Sequence, residues 1–361
     1  MTRLAPYLLA LALLLSVTAL SQNQSSVQVS SSESGQIAIG ILLPDHSHSD
    51  IIAAAELAIE EANKAGGYNK QEFKLVIRTA EGFWGAGSKE SVNLVYEDQV
   101  RAIIGSLDGR NGHLAEQVAA KSHLSYIETY ATEPSLSQAF VPWFMRVVPN
   151  DNQQASSIIN QIHMEGGTSI GILSMENYDT RYAIKSLTKV MAQKFGKSPL
   201  VIELDSSNIQ KEDIIQLILG SGLDHLVLPF DASFLQDLIV ALKDERPELN
   251  IYGTLHFTMG VEKRGTDWKA YEGIYMLAPH FDRTKQDILH DSRSAYLYDA
   301  VSMVLMAIQE VGTDREAIRD CLSKTVHSNA ITGSISFDEL GNRKNAAVLV
   351  RIQNGLPGQI N

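Results

Sequence analysis

From Gln36 onward, short apolar runs alternate with amphipathic stretches, and that rhythm admits few architectures. Ile37 to Leu43 reads IAIGILL, the length and branching expected of a strand buried on both faces. Ser49 and Asp50 follow as helix-capping residues. Ile52, Ala55, Ala58 and Ile59 then form one apolar stripe, and Gly66-Gly67 closes it. The unit repeats. Strands are predicted at Phe73 to Arg78, Ala102 to Gly105 and Leu124 to Glu128, with helices at Ser88 to Tyr96 and Gly112 to Ser122. After a break near Val147 to Gln153 a second series starts. It runs through helix Asn152 to Glu165, strand Ser169 to Ser174, helix Thr180 to Phe195, strand Leu200 to Leu204, helix Lys211 to Leu219, strand His225 to Leu228, helix Ala232 to Lys243 and strand Asn250 to Tyr252. Such units require parallel sheets with helices on both faces, and two series imply two doubly wound α/β units. The tail departs from the rhythm: a strand at Gly273 to Pro279, helices at Ser292 to Val311 and Asp314 to Lys324, and strands at Gly333 to Phe337 and Ala346 to Ile352.

The first 35 residues stand outside this pattern. Arg3 precedes an apolar run from Leu8 to Leu20, and the small residues Ala19 and Ser21 precede Gln22. This is the layout of a cleavable secretory signal, residues 1–21, and the run is shorter than the ~20 residues of a membrane span. No Cys follows to take a lipid. Gln22 to Gly35 is polar and Ser-rich, as expected of a flexible leader. The mature chain is therefore expected to be exported and soluble.

Charge and cysteine content narrow the partners. Thirty Lys and Arg against 42 Asp and Glu leave a net charge of −12, which argues against nucleic acid. One cysteine, Cys321, excludes an internal disulfide, and its helical spacing from Ala317 and Ile318 predicts a buried position. Enzyme motifs fare poorly. Gly167 to Gly171 matches G-x-S-x-G, but Ser169 precedes a strand, whereas a nucleophile elbow places its Ser between a strand and a helix. Gly105, Gly109 and Gly112 do not make a dinucleotide fingerprint, and no Walker A motif is present, so no cofactor is expected. The segment from Asp45 to Asp50 (DHSHSD) is the best metal candidate, through His46 and His48; read plainly it is a polar turn capping the next helix.

Ligands of parallel α/β sheets bind beyond the C-terminal ends of the strands. In the first series those ends carry Asp45, His46, Ser47 and His48, then Glu81 to Trp84, then Asp108, Gly109 and Arg110, then Tyr130, Ala131 and Thr132. In the second they carry Asn177, Tyr178 and Asp179, then Phe230 and Asp231, then Leu255 and His256. Aromatics and hydrogen-bonding groups abound, and no nucleophile–base pair stands out, which favours binding over chemistry.

These residues together resemble the type I periplasmic solute-binding proteins, most of all the leucine/isoleucine/valine-binding branch. The resemblance rests on AAELAIEEANKAGG (Ala54 to Gly67), VRAIIGSLDG (Val100 to Gly109), YATEPSLS (Tyr130 to Ser137), FMRVVPND (Phe144 to Asp151), YEGIY (Tyr271 to Tyr275), YDAVSMVLMAIQEVGT (Tyr298 to Thr313) and GSISFDELGNRKN (Gly333 to Asn345), in order over Gln36 to Gly355. It implies two lobes, residues 36–149 plus 280–337 and residues 150–279 plus 338–361. Three crossovers, near Val148 to Asn150, Leu277 to Pro279 and Phe337 to Gly341, would join them around a closing cleft. It further implies that Thr132, with the backbone of Tyr130 and Ala131, receives an amino acid's backbone groups, and that Tyr178 is an aromatic of the second lobe.

This chain departs from the family twice. Gly109 stands where a Ser helps hold the ligand carboxylate, and Leu255, beside His256, stands where an acid faces the ligand ammonium. Leu cannot compensate a buried ammonium, which argues against branched-chain aliphatic ligands. Asp231, Asp45 or Asp108 are substitutes, and Arg110 is a candidate carboxylate partner. The stretch from His280 to Arg293 is short for the family. The expectation is a monomeric, periplasmic, non-enzymatic protein that captures a small polar solute for an ABC permease in the membrane. The alternatives are a sensory binding protein that signals to a membrane receptor, and an exported hydrolase or metal enzyme using Ser169 or His46/His48.

Overall fold

The computed structural model describes residues 35–82, 85–105, 108–204, 210–263, 265, 267–279, 291–345 and 347–360. The expected signal segment, nearly all of the expected leader, and residues 280–290 of the short stretch lie outside them. Residues Gln36–Asn361 form one compact unit.

Its first sheet contains β1 (Ile37–Leu43), β2 (Phe73–Thr79), β3 (Ala102–Gly105), β4 (Ser125–Glu128) and β5 (Phe144–Arg146). All pair in parallel, in the order β2-β1-β3-β4-β5. Every residue of β1 is buried, as a central parallel strand requires. Its alternation sorts two cores. Ile37, Ile39, Ile41 and Leu43 pack with α1 (Ile52–Lys64) and the late helix α9 (Ser292–Val311), through Ala55, Ile59, Val301 and Ile308. Ala38 and Leu42 face the opposite way, toward α2 (Ala86–Tyr96) and α3 (Gly109–Ser122), through Leu94, Ala115 and Ala119. The strand order reverses between β1 and β3, which opens a crevice at their C-terminal ends.

The second sheet holds β6 (Ile170–Met175), β7 (Leu200–Leu204), β8 (His225–Leu228), β9 (Asn250–Gly253) and β10 (Tyr275–Ala278) in parallel, ordered β7-β6-β8-β9-β10. β11 (Val348–Gln353) and β12 (Leu356–Gln359) add antiparallel to β10. Its helices are α4 (Asp151–Met164), α5 (Tyr178–Phe195), α6 (Lys211–Gly220), α7 (Gln236–Glu245) and α8 (Leu255–Lys263); α10 (Arg315–Lys324) follows α9. The expected α/β class with two doubly wound, mainly parallel sheets is what the structure shows.

The chain passes between the sheets at residues 147–150, again after β10, and again before β11. Two buried arginines bind the first passage to the third. Arg146 donates to the Glu133 carbonyl at 2.6 Å and to the Asn342 side chain. Burial pushes its guanidinium down to about 10. Arg343 donates to the Val147 carbonyl at 3.0 Å and the Thr332 carbonyl at 2.6 Å. Phe337 to Gly341, expected as the third crossover, stays with the first sheet: Arg146 pairs with Asn342 and Phe337 with Arg343, and the chain enters the second sheet only at Val348.

Several local expectations are corrected. Gly333 to Phe337 makes isolated bridges instead of a strand, because Ile335 pairs only with His327. Leu255 and His256 follow β9 as expected, and there they open α8. Cys321 is partly buried and packs at the edge of the first core, since α10 covers that core with Ile318 and Leu322 and leaves the thiol at its margin.

Candidate functional site

Strand ends of both sheets meet around one cavity of about 380 Å³. That suits a small solute, since ligand pockets run roughly 300–1,000 Å³. Asp108, Arg110, Asn111 and Tyr130 line it from the first sheet. Met175, Asn177, Tyr178, Asp179, Thr180, Phe230, Asp231 and His256 line it from the second. Larger depressions exist, one of about 990 Å³ beside Val141 and Arg319 and one of about 700 Å³ beside His46 and Glu81, but neither draws residues from the second sheet's parallel strands.

The three acids of the lining are set by local side-chain-to-backbone bonds. Asp108 caps α3, accepting the Asn111 N–H at 2.9 Å and the Asn111 side-chain amide at 2.9 Å. Asn177 caps α5 by accepting the Thr180 N–H at 2.7 Å, which sets Tyr178 and Asp179 in the first turn. Asp231 accepts the Ser233 N–H at 3.0 Å and the Ser233 hydroxyl. Gly260 of α8 leaves room for it, because a Cβ there would lie 1.9 Å from the Asp231 carboxylate.

Three contacts cross the cavity. Asp179 accepts the Gly109 N–H at 3.0 Å. His256 stacks on Tyr130 with ring centres 4.7 Å apart, and its Nε2 lies 3.2 Å from the Tyr130 carbonyl. The Arg110 guanidinium sits 5.3 Å from the centre of the Tyr178 ring, a cation–π arrangement. Burial pushes the Asp179 carboxyl upward, and Asp108 and Glu133 add to that; His256 and the Gly109 N–H oppose it. Burial also raises Asp151, at the start of α4, to about 6.

Of the residues expected at the site, Asp108, Arg110, Tyr130, Tyr178, Asp231 and His256 line the cavity, and Gly109 borders it through its backbone. The others point elsewhere. Asp45 accepts the Ser47 N–H at 2.7 Å and winds His46–Ile51 into a short 3-10 turn, leaving His46 exposed 3.5 Å from Glu81 and Ser47 exposed with it. The N–H groups of Tyr130 and Ala131, assigned by resemblance to a ligand, are taken by the buried Glu128, whose Oε1 also accepts Thr129. Thr132 is buried against Asp151, and its carbonyl accepts the Asp151 N–H at 2.8 Å. Glycine at position 109 has a steric reason: a Cβ there would lie 2.5 Å from the Glu133 carboxylate. Asn111, Met175, Asn177, Asp179, Thr180 and Phe230 complete the lining. Asn177 and Asp179 carried a signal, as a cap and a first-turn acid at a strand end. Among the described residues no group of three or more His, Cys, Asp or Glu is placed to hold a metal ion.

A family model described as "Periplasmic binding protein" matches residues 36–356. The chain belongs to the periplasmic binding protein family. That family is non-enzymatic, and Ser169 fits no catalytic role: it precedes β6, and its carbonyl accepts the N–H groups of Asp224 and His225. LivJ of Streptococcus pneumoniae, solved with isoleucine, matches with a TM-score of 0.74 at 18% identity over 90% of this chain and 99% of that one. A solute-binding protein of R. palustris, solved with benzoate, matches with a TM-score of 0.76 at 14% identity over 91% and 96%. In sequence, BasB of Halobacterium salinarum, a chemotactic signal transduction substrate-binding protein, is 30% identical over 45% of this chain and 39% of its own. Glutamate receptor 3.7 of Arabidopsis thaliana is 26% identical over 42% of this chain and 17% of its own. The chain thus matches less than half the length of these curated relatives. No helix among the described residues is long and apolar enough to cross a membrane.

Proposed function

We propose that this periplasmic binding protein is exported by a cleavable signal at residues 1–21, carries a flexible leader at 22–35, and captures a small polar solute in the cavity between its two sheets. The two sheets, with their helices, act as lobes, close to the expected division at 149/150, 279/280 and 337/338 but with the last boundary moved to Val348, and the three chain passages serve as the hinge. The observation that carries the reading is the convergence on one cavity of Asp179 with Gly109 and His256 with Tyr130. A ligand that touches both sides stabilises the closed arrangement by what it gains there and nowhere else. The cargo passes to an ABC permease in the membrane. The solved relatives hold isoleucine, leucine and benzoate, so this fold frames zwitterions and aromatic anions alike, and the residues at the cleft decide.

The test is a thermal-shift screen with amino acids, amides, short carboxylates and amines. A true ligand at a hundred times its Kd stabilises by about 2.7 kcal/mol. A flat response to all of them would sink the reading. One observation favours a sensory role: BasB belongs to a chemotactic system. In that case the closed form is presented to a membrane receptor, and a ligand-dependent pull-down from membranes separates receptor from permease.

A further inference from the structure

The charges around the cavity are lopsided. Three carboxylates, Asp108, Asp179 and Asp231, line it against one guanidinium, Arg110. Two other arginines come near, and one of them is already paired. Arg293 is bound to Asp50 at 2.6 Å and Asp291 at 2.8 Å. Arg181, like Arg110, sits over the Tyr178 ring, at 5.8 Å. Two further buried carboxylates, Asp151 and Glu133, act on Asp179 from behind the lining. The Glu133 charge is partly met by His113. Asp151 leaves its Oδ2 without a hydrogen-bond partner among the described residues.

The place where a zwitterion's carboxylate would seat is also filled. A helix N-terminus binds anions through its free N–H groups. At α3 the Gly109 N–H already serves Asp179 and the Asn111 N–H serves Asp108. The protein's own carboxylates occupy two of the first-turn donors, and three carboxylates against the Arg110 guanidinium leave the charge of the lining negative. Tyr130, Tyr178 and Phe230 add aromatic faces, which attract organic cations.

We propose that the cleft is selective for an organic cation, a solute of net positive charge whose ammonium or guanidinium group lies among Asp108, Asp179 and Asp231 and whose carbon body lies against Tyr130, Tyr178 and Phe230. The inference rests on the reading of the cleft as the solute site. It names the class of solute: diamines, guanidino compounds, quaternary amines or cationic amino acids.

Titration calorimetry on the purified protein tests it with three sets of probes. Putrescine, agmatine, arginine and choline are the cations, leucine, isoleucine and glutamine the zwitterions, and benzoate the anion. The expected result is that at least one cation binds, at least tenfold more tightly than any zwitterion or benzoate. Asp179→Asn and Asp231→Asn, which keep the acceptor oxygens and the shape, are each expected to weaken that cation tenfold or more with an unchanged circular dichroism spectrum. Rising salt should weaken it further. Tighter binding of a zwitterion or of benzoate, abolished by Tyr178→Ala, would overturn the cation preference and leave solute binding standing. Cation binding indifferent to both Asn variants would overturn the placement. Silence from every probe would overturn both readings.

Discussion

Asp179 reaches across the cleft from the first turn of α5 and accepts the backbone N–H of Gly109 at 3.0 Å. The bond joins residues 70 positions apart in the chain. It also sets what position 109 tolerates, because the same glycine is pressed from behind by the Glu133 carboxylate.

Gly109→Ser is therefore expected to destabilise the fold by about 1–3 kcal/mol, as overpacking does. Its Cβ would stand 2.5 Å from the carbon of the buried Glu133 carboxylate. Urea denaturation measures this. An unchanged midpoint would mean that Glu133 moves aside freely.

Glu128 organises the loop that presents Tyr130. Its Oε1 accepts three consecutive N–H groups, from Thr129 at 2.9 Å, Tyr130 at 2.7 Å and Ala131 at 3.0 Å. Glu128→Ala leaves buried donors unsatisfied, each costing roughly 1–3 kcal/mol. We expect the variant to lose about 3 kcal/mol or more, and faster amide exchange at residues 129–131. Wild-type protection there would show that the loop is held by something else.

His113 predicts a pH dependence. Its Nδ1 faces Glu116 at 3.5 Å, and Glu133 bonds its Nε2. These carboxylates raise the imidazole to about 9. A folded-state value above the unfolded one means stability that is fully present below about 6.5 and lost as pH rises through about 9. The side chain is 31% exposed, so after solvent screening the loss is on the order of 2 kcal/mol. Melting temperatures from pH 6 to pH 9.5 should fall in wild type more than in His113→Gln. Parallel curves would remove the assignment.

Tyr178→Ala removes an aromatic face of the cavity and the seat of Arg110. Its ring is part-exposed at the start of a helix, so the fold should survive. Ligand affinity is expected to drop at least tenfold by calorimetry, with the melting temperature of the free protein within about 2 °C of wild type. An unchanged affinity would place the ligand elsewhere.

Much of the fold is readable because burial follows the local period. The alternation in IAIGILL sorts the two cores as it stands, and α9 runs from Ser292 to Val311 as expected because Asp291 caps one end and Gly312 the other. What escapes is structure set from outside the segment. β5 has three residues, too few to show a period. β12 escapes as well: Asn354 and Gly355, with φ values of 55° and 70°, form the two-residue hairpin turn that adds it to a strand expected to be the last. At the site, the aromatic and charged strand ends were legible singly. That the Tyr130 and Ala131 N–H groups turn to Glu128, and that Asp179 takes the N–H of Gly109, depends on contacts no spacing encodes.

The packing of α9 on α1 governs the order in which the molecule can be completed. The inner stripe of α1, Ala55 and Ile59, is made early in synthesis, but Val301, Val304 and Ile308 emerge roughly 240 residues later. Until they leave the ribosome, that face of the first β-strand has α1 against it but not the late helix that completes its core. The second sheet lacks only β11 and β12 at that point, so its parallel strands and their helices are all synthesised before the first core has its last partner helix.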